Sequence, residues 1–249
     1  MAKGDQFLFI NIVIIPVLMS FTNFASFFKK DKLLPENHAP VVKIIAPKNN
    51  SLFGWDAPIN YSVSISDAED GDSKYDEINP KEVLLTIKYA GDGSKLAAEL
   101  KKTGESNSAA LAAIRTSNCF NCHSFDGRLI GPSFAEISKR YPPTAANITM
   151  MVKRTREGSS GVWGKTSMPT HPELTKEQIQ KMVEWILKNA ANTSTSYYIG
   201  NQGSFRLKQP INPGRKAVYI ITASYIDHGA KEDSTHRLSG QDVVVISNK

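Results

Sequence analysis

The residues best suited to chemistry form one short run, Cys119-Phe120-Asn121-Cys122-His123. This spacing is the attachment pattern of c-type haem: each thiol adds to one vinyl group of the porphyrin, and the next residue brings an imidazole to the iron. The chain has 2 cysteines in 249 residues, and both lie in this run. The run therefore predicts one covalently bound haem c per chain, with His123 as an iron ligand.

Three other uses of two closely spaced cysteines fit the sequence less well. A structural zinc site usually needs four ligands, and the sequence has no second Cys/His pair with zinc-finger spacing. A redox-active pair of the thioredoxin type would lie in a βαβ unit, which the flanking residues do not indicate. A disulfide between Cys119 and Cys122 would be strained and would leave His123 without a role.

The N-terminal residues indicate export. Lys3 precedes an apolar stretch over residues 7–24, and Lys29 and Lys30 follow it. A short basic start and a long apolar middle are typical of an export signal, and haem attachment by this motif takes place outside the cytoplasmic membrane. We predict that residues 1–28 are a signal peptide or an uncleaved anchor, since the apolar run approaches the roughly 20 residues that span a bilayer. The predicted location is the periplasm or the outer face of the cytoplasmic membrane.

Charge and composition exclude other classes. The net charge of +6 is spread along the chain, so the sequence predicts no nucleic-acid partner. About 220 residues remain after export, enough for one or two domains. Residues 106–191 have a helical pattern, and strand patterns flank them on both sides. The predicted strands cover residues 41–45, 59–66, 83–89, 204–207, 217–225 and 242–246.

The helical segment contains the cysteine run. An Ala-rich helix after Ser108 leads to Cys119, and a helix opened by residues 131–133 and another over 147–157 follow. The last helix has the clearest start, because Thr175 and Gln178 form a capping box. Four short helices bury little apolar surface by themselves, and a haem would supply the missing core.

Residues 106–191 resemble a class I, small bacterial cytochrome c, the kind that carries electrons between periplasmic partners. The resemblance rests on the cysteine run and on the segments around Pro132 and Met168, in that order. It implies that the carbonyl group of Pro132 accepts a hydrogen bond from the N–H of the His123 imidazole and so fixes its tautomer. It also implies that Met168 is the sixth ligand of the iron.

Further positions follow from the same resemblance. Arg154 and Trp163 fall where small members of the family place donors to the haem propionates. His171 stands where the family often has a small amide, three residues after Met168, and it is the rival for the sixth coordination position. This replacement raises the hypothesis that the reduction potential varies with pH near neutrality.

The β segments resemble one exported module. Residues 66–72 and 223–229 are similar to strand-end motifs of PKD- or cadherin-like domains. We expect an α+β multidomain protein: an all-α class I cytochrome c domain, and one immunoglobulin-like sandwich split by it into 38–92 and 195–249, with a linker at 93–105. Two separate small β domains are the alternative. The acidic residues at 66–72 are a candidate Ca²⁺ site, although no full ligand set is evident and a solvated turn is favoured.

The expected function is electron transfer rather than catalysis. Iron held by His123 and Met168 has no open coordination position, and the sequence shows no distal acid–base pair. The expected partners are exported redox proteins, such as a dehydrogenase or a terminal oxidase or reductase. Two alternatives are an electron-accepting module of an exported dehydrogenase or oxidase complex, and a cell-surface binding module with an accessory haem. The second would display Tyr197, Tyr198 and Phe205 on an exposed platform.

Overall fold

The computed structural model describes residues 36–101, 109–209, 216–231 and 233–249. The predicted signal peptide or anchor, residues 1–28, lies outside these ranges. Within them, no helix is both long enough and apolar enough to cross a membrane.

Strands occupy both ends of the described chain and helices its middle. The first strands are β1 (Val41–Ala46), β2 (Leu52–Phe53), β3 (Ile59–Asp67), β4 (Gly71–Asp72) and β5 (Leu84–Tyr89). The helices are α1 (Leu96–Lys101), α2 (Ala109–Thr116), α3 (Phe134–Arg140), α4 (Ala145–Glu157) and α5 (Lys176–Asn189). The later strands are β6 (Thr195–Ile199), β7 (Gln202–Phe205), β8 (Val218–Ile226) and β9 (Ser239–Asn248).

Both sheets combine strands from the two sides of the helical segment. In the first sheet, β3 pairs antiparallel with β1 and with β7, and Tyr61 lies opposite Gly203. The second sheet has the order β2-β9-β8-β5-β6, antiparallel except for the short β2–β9 pair. The two neighbours of β5, β6 and β8, both follow the helical segment.

The two sheets share one apolar core. In β3 the side chains of Tyr61, Val63 and Ile65 are buried in alternation, as expected for a strand with one covered face. Every residue of β8 is buried, because its sheet is covered on both faces. On the face away from this shared core, Leu96 and Leu100 of α1 pack against the apolar side chains of β8.

The helices enclose a second core, in which α5 packs against α2, α3 and α4. Two of the helices start at capping boxes, Thr175 with Gln178 for α5 and Ser133 with Glu136 for α3. Each box satisfies backbone N–H groups that a helix start leaves unpaired. Leu84 of β5 is buried in this helical core, so the second sheet forms one wall of it.

The proposed aromatic platform is wrong. Phe205 is 3% exposed, and Tyr198 packs beside it against the core that the sheets share. Tyr197 packs against the helical core, where its ring stacks on Phe125 with the centroids 4.7 Å apart. These rings are used for packing within the protein.

Candidate haem-binding site

A cavity of about 290 Å³ lies within the helical segment. It is lined by all the residues that the sequence singled out, namely Cys119, Cys122, His123, Pro132, Arg154, Trp163, Met168 and His171. Much of the remaining lining is apolar, including Ile130, Phe134, Ile137, Met151, Ile179, Met182, Val183, Ile186 and Leu187. The fold therefore gathers the predicted ligands and attachment points around one apolar space.

A short turn presents the thiols and the imidazole to this cavity. After α2 the chain turns at Asn118, which has a φ of 58°, into a 3₁₀ turn over Cys119–Asn121. The N–H groups of Cys122 and His123 donate to the carbonyl oxygen of Cys119, at 3.2 and 2.9 Å. Burial raises the pKa of the Cys119 thiol to about 12, so the thiol is protonated at neutral pH. No disulfide joins the two cysteines.

The imidazole of His123 is held in one tautomer. Its Nδ1 lies 2.6 Å from the carbonyl oxygen of Pro132, which can only accept, so Nδ1 carries the proton. Burial lowers the pKa of His123, and the hydrogen bond to Pro132 opposes that shift only in part. The ring is therefore neutral at pH 7, with the lone pair of Nε2 available to a metal.

Met168 lies on a loop that pairs with the end of α4. The N–H of Met168 donates to the carbonyl oxygen of Ser159 at 2.8 Å, and the N–H of Ser159 returns the bond at 3.2 Å. Gly158 permits this close pairing: its φ is 79°, and a Cβ there would lie 2.9 Å from the carbonyl oxygen of Met168. The backbone thus fixes where the thioether enters the cavity.

Comparison with known proteins agrees with this geometry. A family model described as Cytochrome c matches residues 108–190. Cytochrome c-551 of Azotobacter vinelandii is 33% identical over 73 residues, which are 29% of this chain and 88% of that protein. Cytochrome c2 of Rubrivivax gelatinosus is 38% identical over 72 residues, which are 28% of this chain and 85% of that protein.

The chain belongs to the cytochrome c family. Its helical segment has the class I cytochrome c fold, and membership implies a covalently bound haem c and a role as an electron carrier. The solved structure of Nitrosomonas europaea cytochrome c552 is 28% identical and covers 30% of this chain and 93% of that one, with a TM-score of 0.29. The family model leaves both β segments of this cytochrome unmatched.

Arginines surround the loop that carries Trp163. Arg154 lines the cavity and donates from Nη1 to the hydroxyl of Tyr141 at 3.2 Å. The guanidinium of Arg140 lies 4.6 Å from the centroid of the Trp163 ring. Arg128 donates from Nη2 to the carbonyl oxygen of Trp163 at 2.5 Å. The sequence pointed to Arg154 and Trp163 but missed Arg128 and Arg140, because single arginines carry no local signal that separates them from solvated ones.

Two residues of the loop around Pro132, for which the sequence predicted no individual role, support His123. The ring of Phe134 stacks on the imidazole with the centroids 5.4 Å apart and 16° between the planes. The backbone of Gly131 lies close to the same ring, since a Cβ at this position would lie 2.7 Å from Cε1 of His123. A glycine directly before Pro132 was the available signal for this close approach.

The residues present fit a haem c. The backbone of Gly131 leaves no room for a side chain between itself and the imidazole. This close packing holds His123 at one wall of the cavity. Cys119 and Cys122 supply the two thiols at the same wall, and the lining beyond them is apolar, as a porphyrin requires. The two cysteines and His123 therefore line the same cavity.

The acidic residues at 66–72 do not support the candidate Ca²⁺ site. Oδ1 of Asp67 accepts the N–H groups of Glu69 and Asp70, at 2.9 and 2.7 Å, and so closes a turn. In the part of the chain that the structure describes, no group of three or more His, Cys, Asp or Glu side chains is arranged to hold a metal ion.

Proposed function

We propose that this cytochrome c carries one electron between exported redox partners, and that His123 and Met168 are the side chains that would hold the iron of its haem. The observation that carries the proposal is that both side chains line one apolar cavity with Cys119 and Cys122. When bound, a c-type haem supplies an iron that cycles between the ferrous and ferric states. The proposed role of the protein is to bind it, to exclude water and to set its potential.

The ligand set argues for a carrier and against an enzyme. The neutral imidazole of His123 has Nε2 available, and the loop held by Ser159 brings Met168 to the same cavity. An imidazole and a thioether together would leave no position for a substrate, and a thioether ligand raises the reduction potential. The apolar lining also raises the reduction potential, because it disfavours the added charge of the ferric state.

Charge and exposed apolar side chains suggest where a partner docks. Residues 106–191 carry 11 Lys and Arg against 6 Asp and Glu, a difference of 5, which suits an acidic partner. Leu129 and Ile130 are 56% and 60% exposed, and Ile130 also lines the cavity. We expect a small, transient contact at this edge, as is usual for electron transfer.

The domain arrangement belongs to the same proposal. We propose that residues 38–92 and 195–249 form one immunoglobulin-like sandwich interrupted by the cytochrome domain at 106–191. The pairing of β3 with β7 and of β5 with β6 and β8 supports this arrangement. Export, through residues 1–28, follows from the need to attach haem c outside the cytoplasm.

The test uses the full chain produced in a host that matures c-type haem. Haem that survives denaturation and acid–acetone extraction is covalently attached. In the ferrous protein, strongly upfield-shifted proton resonances would report a bound methionine. Met168→Ala should abolish these resonances, whereas Met151→Ala, a methionine of α4 that also lines the cavity, should keep them. Extractable haem, or resonances lost only in the Met151 variant, would refute the proposal.

A further inference from the structure

The cavity contains a second imidazole that the proposed function does not use. His171 lines the cavity together with Met168, and its side chain is only 17% exposed. The side chains of His38, His228 and His236 are 56%, 46% and 77% exposed. The side chain of His171 is therefore far more enclosed than those of His38, His228 and His236.

A carboxylate holds the imidazole of His171 by one nitrogen. Nδ1 lies 2.8 Å from Oε1 of Glu173, and this carboxylate oxygen accepts a hydrogen bond from the Nδ1–H group. The lone pair of Nε2 is then available. His123 has the same arrangement, with the carbonyl oxygen of Pro132 in place of Glu173. A histidine whose Nδ1–H is bound to a carboxylate or carbonyl group is the usual form of a metal-ligating histidine.

The backbone places both alternative ligands on one anchored loop. Met168 pairs with Ser159, and the N–H of His171 donates to the carbonyl oxygen of Arg156 at 3.3 Å. The carbonyl oxygen of His171 accepts a bond from the N–H of Leu174 at 3.4 Å. Backbone hydrogen bonds therefore anchor the loop both at Met168 and at His171.

We propose that His171 is a second axial ligand, which replaces Met168 when the iron is oxidised; this inference rests on the proposed function. The imidazole nitrogen is a harder base than the thioether, so it binds ferric iron relatively better, while the softer sulfur favours ferrous iron. Loss of one electron to the redox partner would therefore favour Nε2 of His171 over Sδ of Met168 as the atom that holds the iron, and reduction would favour Sδ again.

The test compares the ferric and ferrous states of the haem-loaded full chain. In the ferric protein, electron paramagnetic resonance and near-infrared magnetic circular dichroism distinguish two imidazoles from an imidazole and a thioether. In the ferrous protein, strongly upfield-shifted proton resonances report the bound methionine. We expect two imidazoles in the ferric state and bound methionine in the ferrous state. His171→Gln should restore the ferric thioether-to-iron band to full intensity and raise the midpoint potential.

A matched control separates ligation from the general loss of a histidine. His236 also places Nδ1 against a carboxylate, 2.5 Å from Oδ2 of Asp233, but it does not line the cavity. His236→Gln should leave the ferric spectrum unchanged. A complete ferric thioether band in the wild-type chain, unchanged by His171→Gln, would overturn the inference and leave the His123/Met168 carrier intact.

A second variant pair keeps the inference testable if His171→Gln folds poorly. In ferric Met168→Ala, His171 should still give a low-spin iron with two imidazoles, and Met168→Ala/His171→Gln should be high-spin. A high-spin ferric Met168→Ala would contradict the inference. Absence of methionine resonances from the ferrous wild type, with haem covalently attached, would instead overturn the proposed role of Met168 and with it the exchange.

Discussion

The guanidinium of Arg115 in α2 donates from Nε to the carbonyl oxygen of Glu82, 2.9 Å away, in the turn that precedes β5. Its Nη2 also donates to the carbonyl oxygen of Ser224 in β8, at 2.8 Å. Arg115 is 3% exposed, and burial lowers its pKa to about 10, so the side chain remains charged at neutral pH. One buried side chain thus ties the helical segment to the larger sheet.

We expect Arg115→Leu to lower the free energy of unfolding by about 2 kcal/mol, because it leaves two buried carbonyl groups without their donor. Arg115→Lys should recover only part of this loss, since an ammonium group lacks the planar fork that reaches both carbonyls. Urea unfolding followed by tryptophan fluorescence measures the change. Arg237→Leu, at an exposed arginine, is the control. If both leucine variants match the wild type, the link is unimportant for stability.

The turn at Gly158 should control the position of Met168. Alanine at Gly158 or at Gly161 adopts an unfavourable φ, near +80° in both, at a cost of roughly 1–3 kcal/mol each. Only at Gly158 does the new Cβ also meet the carbonyl oxygen of Met168, at 2.9 Å; at Gly161 nothing lies within 4 Å. Gly158→Ala should therefore weaken the ferrous methionine resonances, and Gly161→Ala should preserve them. Equal spectra for the two variants would show that this turn does not position the ligand.

The position of the His123 imidazole should depend on the absence of a side chain at Gly131. In Gly131→Ala the new Cβ would lie 2.7 Å from Cε1 of the imidazole, so the ring or the loop must shift. We expect a loss of about 2 kcal/mol in unfolding free energy from this overpacking, and a several-fold lower yield of haem-loaded protein. Gly127→Ala is the matched control, because its nearest neighbour would be 3.7 Å away. Absorbance measures the haem content per chain. A haem content in Gly131→Ala equal to that in Gly127→Ala would contradict the expectation.

His228 should make stability depend on pH. Nε2 lies 3.0 Å from Oε2 of Glu82 and Nδ1 lies 3.0 Å from Oδ2 of Asp70. The bond to Glu82, more than any other contact, raises the pKa of His228 from 6.5 to about 9. The folded state therefore binds the proton more tightly, and the resulting stability is complete below pH 6.5 and is lost as the pH rises through about 9.

The side chain of His228 is 46% exposed, and solvent screening limits this contribution to about 1 kcal/mol. Denaturant unfolding at a series of pH values from mildly acidic to alkaline measures it. His228→Gln should remove the part of the decline that lies between the two pKa values. A variant that retains the full wild-type decline would assign the pH dependence to other groups.

The elements that the sequence predicted best are those with local signals. The capping box of Thr175 and Gln178 marks the start of α5 correctly, and the spacing of Cys119, Cys122 and His123 identifies the attachment turn. These patterns depend on residues a few positions apart, where capping and turn geometry act directly. Part of the predicted linker at 93–105 is the helix α1. Its Leu96 and Leu100 pack against apolar side chains of the second sheet, and this contact stabilises the helix.

Long-range contacts account for what the sequence did not predict. Leu84 in β5 pairs with Ile199 in β6, and its side chain lies in the helical core, although the residues around it read only as an apolar strand. Arg115 stands in an Ala-rich helix and has the appearance of a solvated cation, yet it is buried. The groups that make these positions special lie far away in the sequence, so no local pattern contains them.

The strand order also determines when the fold can close. Both neighbours of β5 in the second sheet, β6 and β8, are synthesised after the whole helical segment. A chain that emerges from its N-terminus must therefore hold β5 without sheet partners while the Cys119–Asn121 turn appears. Until β6 and β8 have joined β5, the wall that Leu84 contributes to the helical core is not in place. Closure of the helical core therefore depends on the C-terminal part of the chain, although every helix of that core precedes it in the sequence.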